Sequence, residues 1–361
     1  MRKTILFFSR FPVNANGGGG ARREAQLAEL LSPLDCQFIS YWDSNYIKNK
    51  ITGKVGTISR WQKKFSLYKK FWIDEDTWDY VLGLRTVTRE WQKIIGENPG
   101  IKLVVMDDPI YFYPLVEYIH DKGIPMVGLC QNIESLSLNQ LNRKHQLELF
   151  QREISLLKKC DLIVTISREE TFLLQNLNIP SFYLPYYPVK CIRERLLTVR
   201  ERRSHSVKEG YLMLGTAGNK ATLEGMTALI DYWGSEKNEL RNETLKVAGF
   251  WTSKYLKLPM SKNITFLGEI TDMELDDLLS TVKAMICYQE FGSGALTKIR
   301  EMLLARVPLL ANTHAARSYH EYNGFGLVEA AWSGGAFCSM SPATRASGIS
   351  VPMRPSRWMT C

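Results

Sequence analysis

Short apolar runs alternate with amphipathic segments along most of the chain, and this alternation predicts the order of its elements. Strands are predicted at the apolar runs, which are 4–8, 37–41, 102–106, 125–129, 161–166, 211–215, 245–248, 264–267, 284–288 and 308–311. Helices are predicted where apolar residues recur at helical spacing, near 20–32, 77–96, 111–121, 137–159, 168–177, 222–234, 272–282 and 295–305. Strands that alternate with helices are typical of βαβ units, so we expect an α/β protein with mainly parallel sheets.

The alternation breaks once, between the two halves of the chain. Pro185-Tyr-Tyr-Pro188 is followed there by an arginine-rich segment that ends at Gly210, and this composition predicts a linker over 186–210. An N-terminal domain (1–185) and a C-terminal domain (211–328) result, each predicted to be Rossmann-like. Two such domains would face each other across a cleft, with ligands bound beyond the carboxyl ends of the strands.

The last segment, 329–361, has neither a helical nor a strand period. It is rich in small residues and contains Pro352 and Pro355. We therefore expect an irregular tail, in a chain that is truncated or out of frame after about residue 328.

The strand–loop–helix joint at Phe291–Glu301 carries the most informative pattern in the sequence. Gly292 and Gly294 allow a tight turn that leaves amide N–H groups uncovered, and free N–H groups at the start of a helix attract phosphate. Lys298 and Glu301 are three residues apart and therefore share a helix face. A cation beside a diphosphate and a carboxylate beside two vicinal hydroxyls would together suit a nucleotide. The alternative is an ordinary joint with surface charges.

A second glycine-rich loop, Gly17–Gly20, opens the first predicted helix directly after the first strand. Such a loop could let a phosphate or an acceptor approach the backbone closely. The alternative is a flexible surface turn. An NAD-dependent oxidoreductase would require Gly-x-Gly-x-x-Gly here, and Arg22 stands where the last glycine spacing would need a glycine. That class is therefore disfavoured.

The run from Gly292 through Lys298, Glu301 and Pro308 resembles the donor-binding signature of the GT-B glycosyltransferases, in retaining family 4. Other segments resemble the same family in the same order, and the resemblance covers about residues 3 to 327. These segments are Phe11–Arg23, Gln131-Asn-Ile-Glu134, Cys160–Ser167, Gly215–Gly225 and Ile264–Gly268.

The resemblance implies a GT-B fold and a retaining, metal-independent hexosyltransferase of polysaccharide biosynthesis. Such an enzyme moves a sugar from a nucleotide diphosphate sugar to a glycan or lipid-linked acceptor, without a cofactor. The implied catalytic residues are Lys298 and Glu301, with Glu301 on the ribose hydroxyls. The implied donor-binding residues are Gly292, Ser293, Gly294, Ala295, Lys298, Glu301, Lys220, Gly18 and Gly19. The implied acceptor or sugar contacts are Gln131, Asn132 and Glu134.

Two positions depart from the family's pattern. Ser293 stands where many members have glutamate, although Glu290 is close by in the sequence. Gln131 stands where the family has histidine, and glutamine does not titrate near neutral pH. No general base is assigned for this reason. A non-catalytic nucleotide-sugar-binding protein of the same fold is the alternative that these departures favour.

The net charge of +9 comes mostly from the stretch 46–72, which carries seven lysines and Arg60 and no acidic residue. Four of its aromatic residues, Trp61, Phe65, Tyr68 and Trp72, recur at helical spacing. A basic helix with an aromatic stripe suits peripheral contact with an anionic membrane surface. The alternative is that the stripe packs on the core and the lysines are solvated. Nucleic acid is disfavoured, because no recognised binding module accompanies the charge.

The seven cysteines are scattered without a Cys-x-x-Cys pair, and the five histidines show no metal-ligand spacing. Dispersed cysteines predict reduced thiols in a cytosol and argue against a zinc site. No apolar run approaches the ~20 residues of a membrane helix. We therefore expect a cytoplasmic protein, with peripheral association at the inner face of the membrane as the further possibility raised by 46–72.

Overall fold

The structure is a computed structural model that describes residues 4–41, 44, 78–137, 143–235, 242–256, 262–324 and 326–329. The basic stretch 46–72 and the tail beyond residue 329 lie outside the described residues. The described residues form two compact units. Unit 1 lies within Met1–Ile192 and also includes the segment Phe291–Thr297, whereas unit 2 lies within Arg193–Glu290 and Lys298–Cys361.

Unit 1 is built on a six-stranded sheet in the order β2-β1-β3-β4-β5-β6, with every neighbouring pair parallel. Its strands are β1 (Ile5–Ser9), β2 (Cys36–Ser40), β3 (Leu103–Asp107), β4 (Met126–Cys130), β5 (Leu162–Thr165) and β6 (Ser181–Tyr183). The central strands are nearly continuous apolar runs, because helices cover both faces of a parallel sheet.

The helices of unit 1 alternate with its strands. They are α1 (Gly19–Leu31), α2 (Trp78–Gly96), α3 (Tyr113–Asp121), the short α4 (Glu134–Ser137), α5 (Arg143–Leu157) and α6 (Arg168–Asn176), with a 3₁₀ turn at Pro109–Phe112. Aromatic packing joins the helices to the sheet. The ring of Trp91 on α2 stacks on Phe8 of β1 and contacts Phe112, with ring centroids 4.6 Å apart in both pairs.

Unit 2 repeats the architecture with a second parallel six-stranded sheet, in the order β12-β11-β10-β7-β8-β9. Its strands are β7 (Tyr211–Leu214), β8 (Leu245–Ala248), β9 (Ile264–Gly268), β10 (Ala284–Cys287), β11 (Leu309–Ala311) and β12 (Leu327–Glu329). The remaining helices are α7 (Lys190–His205), α8 (Lys220–Trp233), α9 (Thr252–Tyr255), α10 (Asp272–Thr281) and α11 (Thr297–Leu304), with a 3₁₀ turn at His320–Tyr322.

The segment predicted as a linker contains the helix α7, which the arginine-rich composition concealed. Leu196 and Val199 are buried on one side of this helix, and Arg203 is buried as well. The guanidinium group of Arg203 donates hydrogen bonds to the carbonyl oxygens of Leu279, Val282 and Arg306. A charged residue in this helix is therefore part of the interior of unit 2.

Among the described residues, none of the helices combines the length and the apolar character that crossing a bilayer requires. The cysteines within the same ranges are free thiols, at positions 36, 130, 160, 191 and 287.

Candidate functional site

The turns after β7 and β8 meet at the carboxyl edge of the unit 2 sheet. A Cβ atom on Gly249, whose φ is 130°, would overlap the carbonyl oxygen of Gly215. A Cβ atom on Gly215 would lie 2.6 Å from Cγ2 of Thr222, which belongs to α8. Two glycines are therefore required for the backbones of these turns to approach each other so closely.

Lys298 on α11 reaches this edge. Its Nζ donates a hydrogen bond of 2.8 Å to the carbonyl oxygen of Leu214, the last residue of β7. Burial raises the pKa of the Cys287 thiol at the end of β10, and the positive charge of Lys298 partly opposes that rise. The ammonium group therefore lies close to the ends of two adjacent strands. Glu301, one turn further along α11, is only 4% exposed.

Lys220 stands at the first position of α8, after the turn that follows β7. The N-cap Asn219 accepts a hydrogen bond of 3.0 Å from the backbone N–H of Thr222. The Lys220 ammonium lies 3.8 Å from a carboxylate oxygen of Glu224, and both side chains are about half exposed. Lys220 is thus at a helix start beside the glycine turn, in a weak surface ion pair.

A tryptophan covers the same turn. Trp251 has a φ of 61°, which is unusual for a bulky residue. Its ring lies so close to Gly218 that a Cβ atom there would overlap it. Its backbone N–H donates a hydrogen bond of 3.0 Å to the carboxylate of Glu269.

The loops after β10 and β11 are tied together by residues that the sequence analysis missed. Two hydrogen bonds join the side-chain amide of Asn312 to the backbone of Gln289: its Oδ1 accepts from the Gln289 N–H at 3.1 Å, and its Nδ2 donates to the Gln289 carbonyl oxygen at 2.6 Å. The side chain of Gln289 also donates to Thr222 at 3.4 Å and accepts from Arg317 at 3.2 Å. Their position directly after predicted strands was the available signal.

In unit 1, the first glycine loop meets the segment Phe291–Thr297. Gly18 is the N-cap residue of α1. A Cβ atom on Gly19 would lie 3.4 Å from Oγ1 of Thr297. The two glycine-rich loops of the sequence therefore lie side by side within one unit.

Gly294 packs against the segment that follows β4. Its φ is 69°, and a Cβ atom there would overlap the side-chain oxygen of Asn132 and the carbonyl oxygen of Gln131. The backbone N–H of Gly294 donates a hydrogen bond of 3.0 Å to Oε1 of Glu170, on α6. Glycine is needed here both for the backbone conformation and for the space.

The side-chain amide of Gln131 is directed at two buried carboxyl groups. Its Nε2 lies 3.2 Å from Oδ1 of Asp107 and 3.4 Å from Oε1 of Glu24. Burial raises the pKa of Glu24 from 4.5 to about 7. Burial, together with the charge of Glu24, raises the pKa of Asp107 well above its usual range. The side-chain amide of Gln131 is thus a donor placed between two buried acids whose pKa values are raised.

Arg10 supplies the positive charge in this acidic cluster. Its guanidinium group lies 2.9 Å from a carboxylate oxygen of Asp108 and 3.7 Å from one of Glu134. It also covers the ring of Tyr111, at 3.5 Å from the ring centroid. The side chain of Asn132 donates to Glu134 at 3.3 Å. The predicted acceptor contacts Asn132 and Glu134 are therefore neighbours in one polar network.

The predicted site residues fall into two groups. Unit 1 contains the glycines of both loops together with Ser293, Ala295, Gln131, Asn132 and Glu134, whereas unit 2 contains Lys220, Lys298 and Glu301. The roles assigned to these residues stay predictions.

Two α/β units with parallel sheets and glycine-rich turns at the carboxyl edges define the class of protein: the chain has the fold of the GT-B glycosyltransferases. Compared by sequence, it matches no protein-family model and no curated protein. Among solved structures it is similar to Anabaena HepE in complex with UDP, with a TM-score of 0.54 and 11% identity over 90% of this chain and 84% of that chain.

Two further structures support the same fold. Sucrose-phosphate synthase from Thermosynechococcus elongatus has a TM-score of 0.55 and 12% identity, over 87% of this chain and 82% of that chain. The UDP-forming α,α-trehalose-phosphate synthase from Burkholderia vietnamiensis has a TM-score of 0.55 and 9% identity, over 91% and 88% of the two chains. At these identities the likeness concerns the fold, and function has to be argued from the site.

Proposed function

We propose that this protein is a glycosyltransferase of retaining family 4 that moves a hexose from a nucleotide diphosphate sugar to a glycan or lipid-linked acceptor. The observation that carries the proposal is the hydrogen bond from Lys298 to Leu214. This bond holds a cation at the carboxyl edge of a parallel sheet, where such folds bind ligands.

The difficult step is breakage of the bond between the anomeric carbon and the β-phosphate oxygen. Negative charge then develops on the departing diphosphate, and fixed positive groups aimed at that charge supply a large share of catalysis. Lys298 is the candidate for this task, with the loop amides of Gly292, Ser293 and Ala295 as further donors. Lys220, at the start of α8, is a second cation for the phosphates, and Glu301 is the candidate acceptor for the ribose hydroxyls.

The acceptor hydroxyl loses a proton as it attacks the anomeric carbon. Gln131 does not titrate, and its amide is already engaged with Asp107 and Glu24. In our proposal the departing phosphate takes this proton on the same face of the sugar, which gives retention and requires no metal ion or cofactor. Asn132 and Glu134 are proposed to orient the acceptor.

The preferred donor is a UDP-sugar. HepE is a UDP complex and the trehalose-phosphate synthase is UDP-forming, which makes uridine the first base to try. A cytoplasmic location with peripheral membrane contact through 46–72 belongs to the same proposal, because a lipid-linked acceptor would lie at that surface. Anionic and neutral vesicles compared in a sedimentation assay test it, and equal, salt-insensitive partitioning would contradict it.

A non-catalytic nucleotide-sugar-binding protein is the second candidate. Ser293 and Gln131, which replace a glutamate and a histidine of the family, favour it. It predicts nucleotide binding without donor hydrolysis or transfer.

The deciding experiment is a panel of UDP-, GDP- and ADP-sugars, assayed by thermal shift and by donor hydrolysis with and without EDTA. Lys298→Ala and Glu301→Ala should lose the shift and the hydrolysis, whereas Lys122→Ala, an exposed lysine of unit 1, serves as the control. A shift without turnover would favour the binding protein. No shift with any nucleotide sugar would contradict both candidates.

A further inference from the structure

Glu170 is a buried carboxylate that joins two distant segments of unit 1. It lies in the first turn of α6, where its own N–H donates to the N-cap Ser167 at 3.3 Å. Its Oε1 accepts a hydrogen bond of 2.9 Å from the backbone N–H of Ile133 and one of 3.0 Å from that of Gly294. One carboxylate oxygen therefore links the segment after β4 to the glycine loop Phe291–Thr297.

The two amides have few alternatives to this acceptor. A buried backbone amide that loses its hydrogen-bond acceptor is left unsatisfied, at a cost in free energy. Glu170 is 5% exposed, so water is poorly placed to replace it. The carboxylate therefore contributes substantially to holding Gly294 in place.

Close packing around Gly294 restricts the position of the loop. Its positive φ and its close approach to Asn132 and Gln131 already demand glycine. The N–H of Gly294 donates to Glu170, so we assign hydrogen bonds to phosphate to the other amides of the loop. Gly294 is in this way an anchor point, and its neighbours Gly292, Ser293 and Ala295 are oriented by it.

We propose that Glu170 is a positioning residue: by fixing Gly294 against Ile133, it sets the orientation of the loop amides that receive the donor diphosphate. This inference rests on the proposed function for its ligand. It needs no contact between Glu170 and the nucleotide.

A second buried glutamate offers a matched control. Glu153 on α5 is 2% exposed, and its carboxylate likewise accepts two backbone N–H bonds, from Glu134 at 3.0 Å and from Ser135 at 2.9 Å. It holds the same segment after β4 but has no hydrogen bond to Gly294. Glu153→Ala therefore reproduces the loss of a buried, amide-bound carboxylate and leaves the anchor of the loop intact.

The experiment compares Glu170→Ala, Glu170→Gln and Glu153→Ala in the full-length chain. Backbone hydrogen exchange over Phe291–Thr297 and the Kd for UDP are measured for each. We expect Glu170→Ala to speed exchange in this segment and to weaken UDP binding about tenfold. Glu170→Gln, which keeps an oxygen acceptor, should recover most of the affinity. Glu153→Ala should lower the Tm while leaving the UDP Kd within about twofold of the wild type.

The outcomes separate the two claims. Unchanged exchange in the segment in both Glu170 variants overturns the anchor itself. Faster exchange with an unchanged or tighter UDP Kd overturns its role in donor binding. If Glu170→Ala fails to fold, Glu170→Gln decides by the same two measurements, with a smaller loss in the same direction expected. A wild-type chain that binds none of UDP, GDP and ADP overturns the proposed function and this ligand role, whereas exchange still tests the anchor.

Discussion

The ammonium group of Lys298 donates a hydrogen bond of 2.8 Å to the carbonyl oxygen of Leu214. Lysine carries three N–H donors, so this bond fixes the group in position and leaves further donors for a ligand. Because the carbonyl oxygen of Leu214 is neutral, this hydrogen bond does not neutralise the positive charge of Lys298 at the carboxyl edge of the sheet.

Substitution of Lys298 should reduce turnover far more than stability. Lys298→Ala should lower kcat/KM for the donor by a factor on the order of 100, since removal of one preorganised donor to a developing charge has about this effect. Lys298→Arg keeps the charge but not the compact shape, and should recover only part of the rate. Initial rates with a UDP-sugar check this, with Lys122→Ala as the control. Equal losses in both alanine variants would contradict the assigned role.

Glu301 should determine recognition of the ribose. The wild type is expected to bind UDP about tenfold more tightly than a UDP analogue that lacks the ribose hydroxyls, because a site built to bond hydroxyl groups is left unpaired without them. In Glu301→Ala the two ligands should bind with similar affinity. Isothermal titration calorimetry with UDP and with the analogue measures both Kd values. A preference that persists in the variant would mean that another group bonds the ribose.

The buried acid beside Gln131 should make stability fall as the pH rises. Burial raises the pKa of Glu24 from 4.5 to about 7, so the unfolded chain loses this proton at lower pH than the folded one. The stability present below pH 4.5 is then lost progressively up to and beyond pH 7. For Glu24 alone the loss between pH 5.5 and 8 is about 2 kcal/mol.

Glu24→Gln tests this directly, because the amide imitates the neutral acid. The Tm of the variant relative to the wild type should rise between pH 5.5 and 8. The buried Glu153, with a pKa raised to about 8 by burial, still titrates in both proteins and cancels in the comparison. A Tm difference that does not change with pH would show that Glu24 is ionised throughout.

The glycine contact at the edge of unit 2 should be sensitive to a single methyl group. Gly249→Ala should destabilise the protein by at least about 2 kcal/mol, because its Cβ would overlap the Gly215 carbonyl oxygen at a φ of 130°. Gly324→Ala is the control, since Gly324 also has a positive φ (84°) but no atom of the described residues within 4 Å of its Cβ position. Its cost should be about 1 kcal/mol. Equal shifts in the urea midpoint would contradict the steric argument.

Ten of the twelve strands given above were predictable from sequence because buried parallel strands stand out as apolar runs. The three-residue strands β6 and β12 were missed because each includes a polar residue, whereas β11, which is equally short, is wholly apolar and was predicted. The helix α7 was missed for a different reason. Its arginines suggested a solvated linker, and only tertiary contacts show that Arg203 is buried among backbone carbonyl groups.

The positions of some loops of the candidate site were also predictable from sequence. Glycine and charge at strand ends marked the loops at Gly17–Gly20 and Gly292–Gly294, because the chemistry of a turn is local. The partners of Gln131 could not be inferred, since Glu24 and Asp107 come from distant parts of the sequence. The acceptor of the Gly294 amide, Glu170, is equally remote from it along the chain.

The segment Phe291–Thr297 is grouped with unit 1, although its chain neighbours Glu290 and Lys298 belong to unit 2. No single cut of the polypeptide can therefore separate the two units intact. A fragment that stops at Ile192 would lack the amide of Gly294, so the buried side chain of Glu170 would lose a hydrogen-bond donor. Domain-dissection experiments on this protein would succeed only if that short segment were supplied back, covalently or as a peptide.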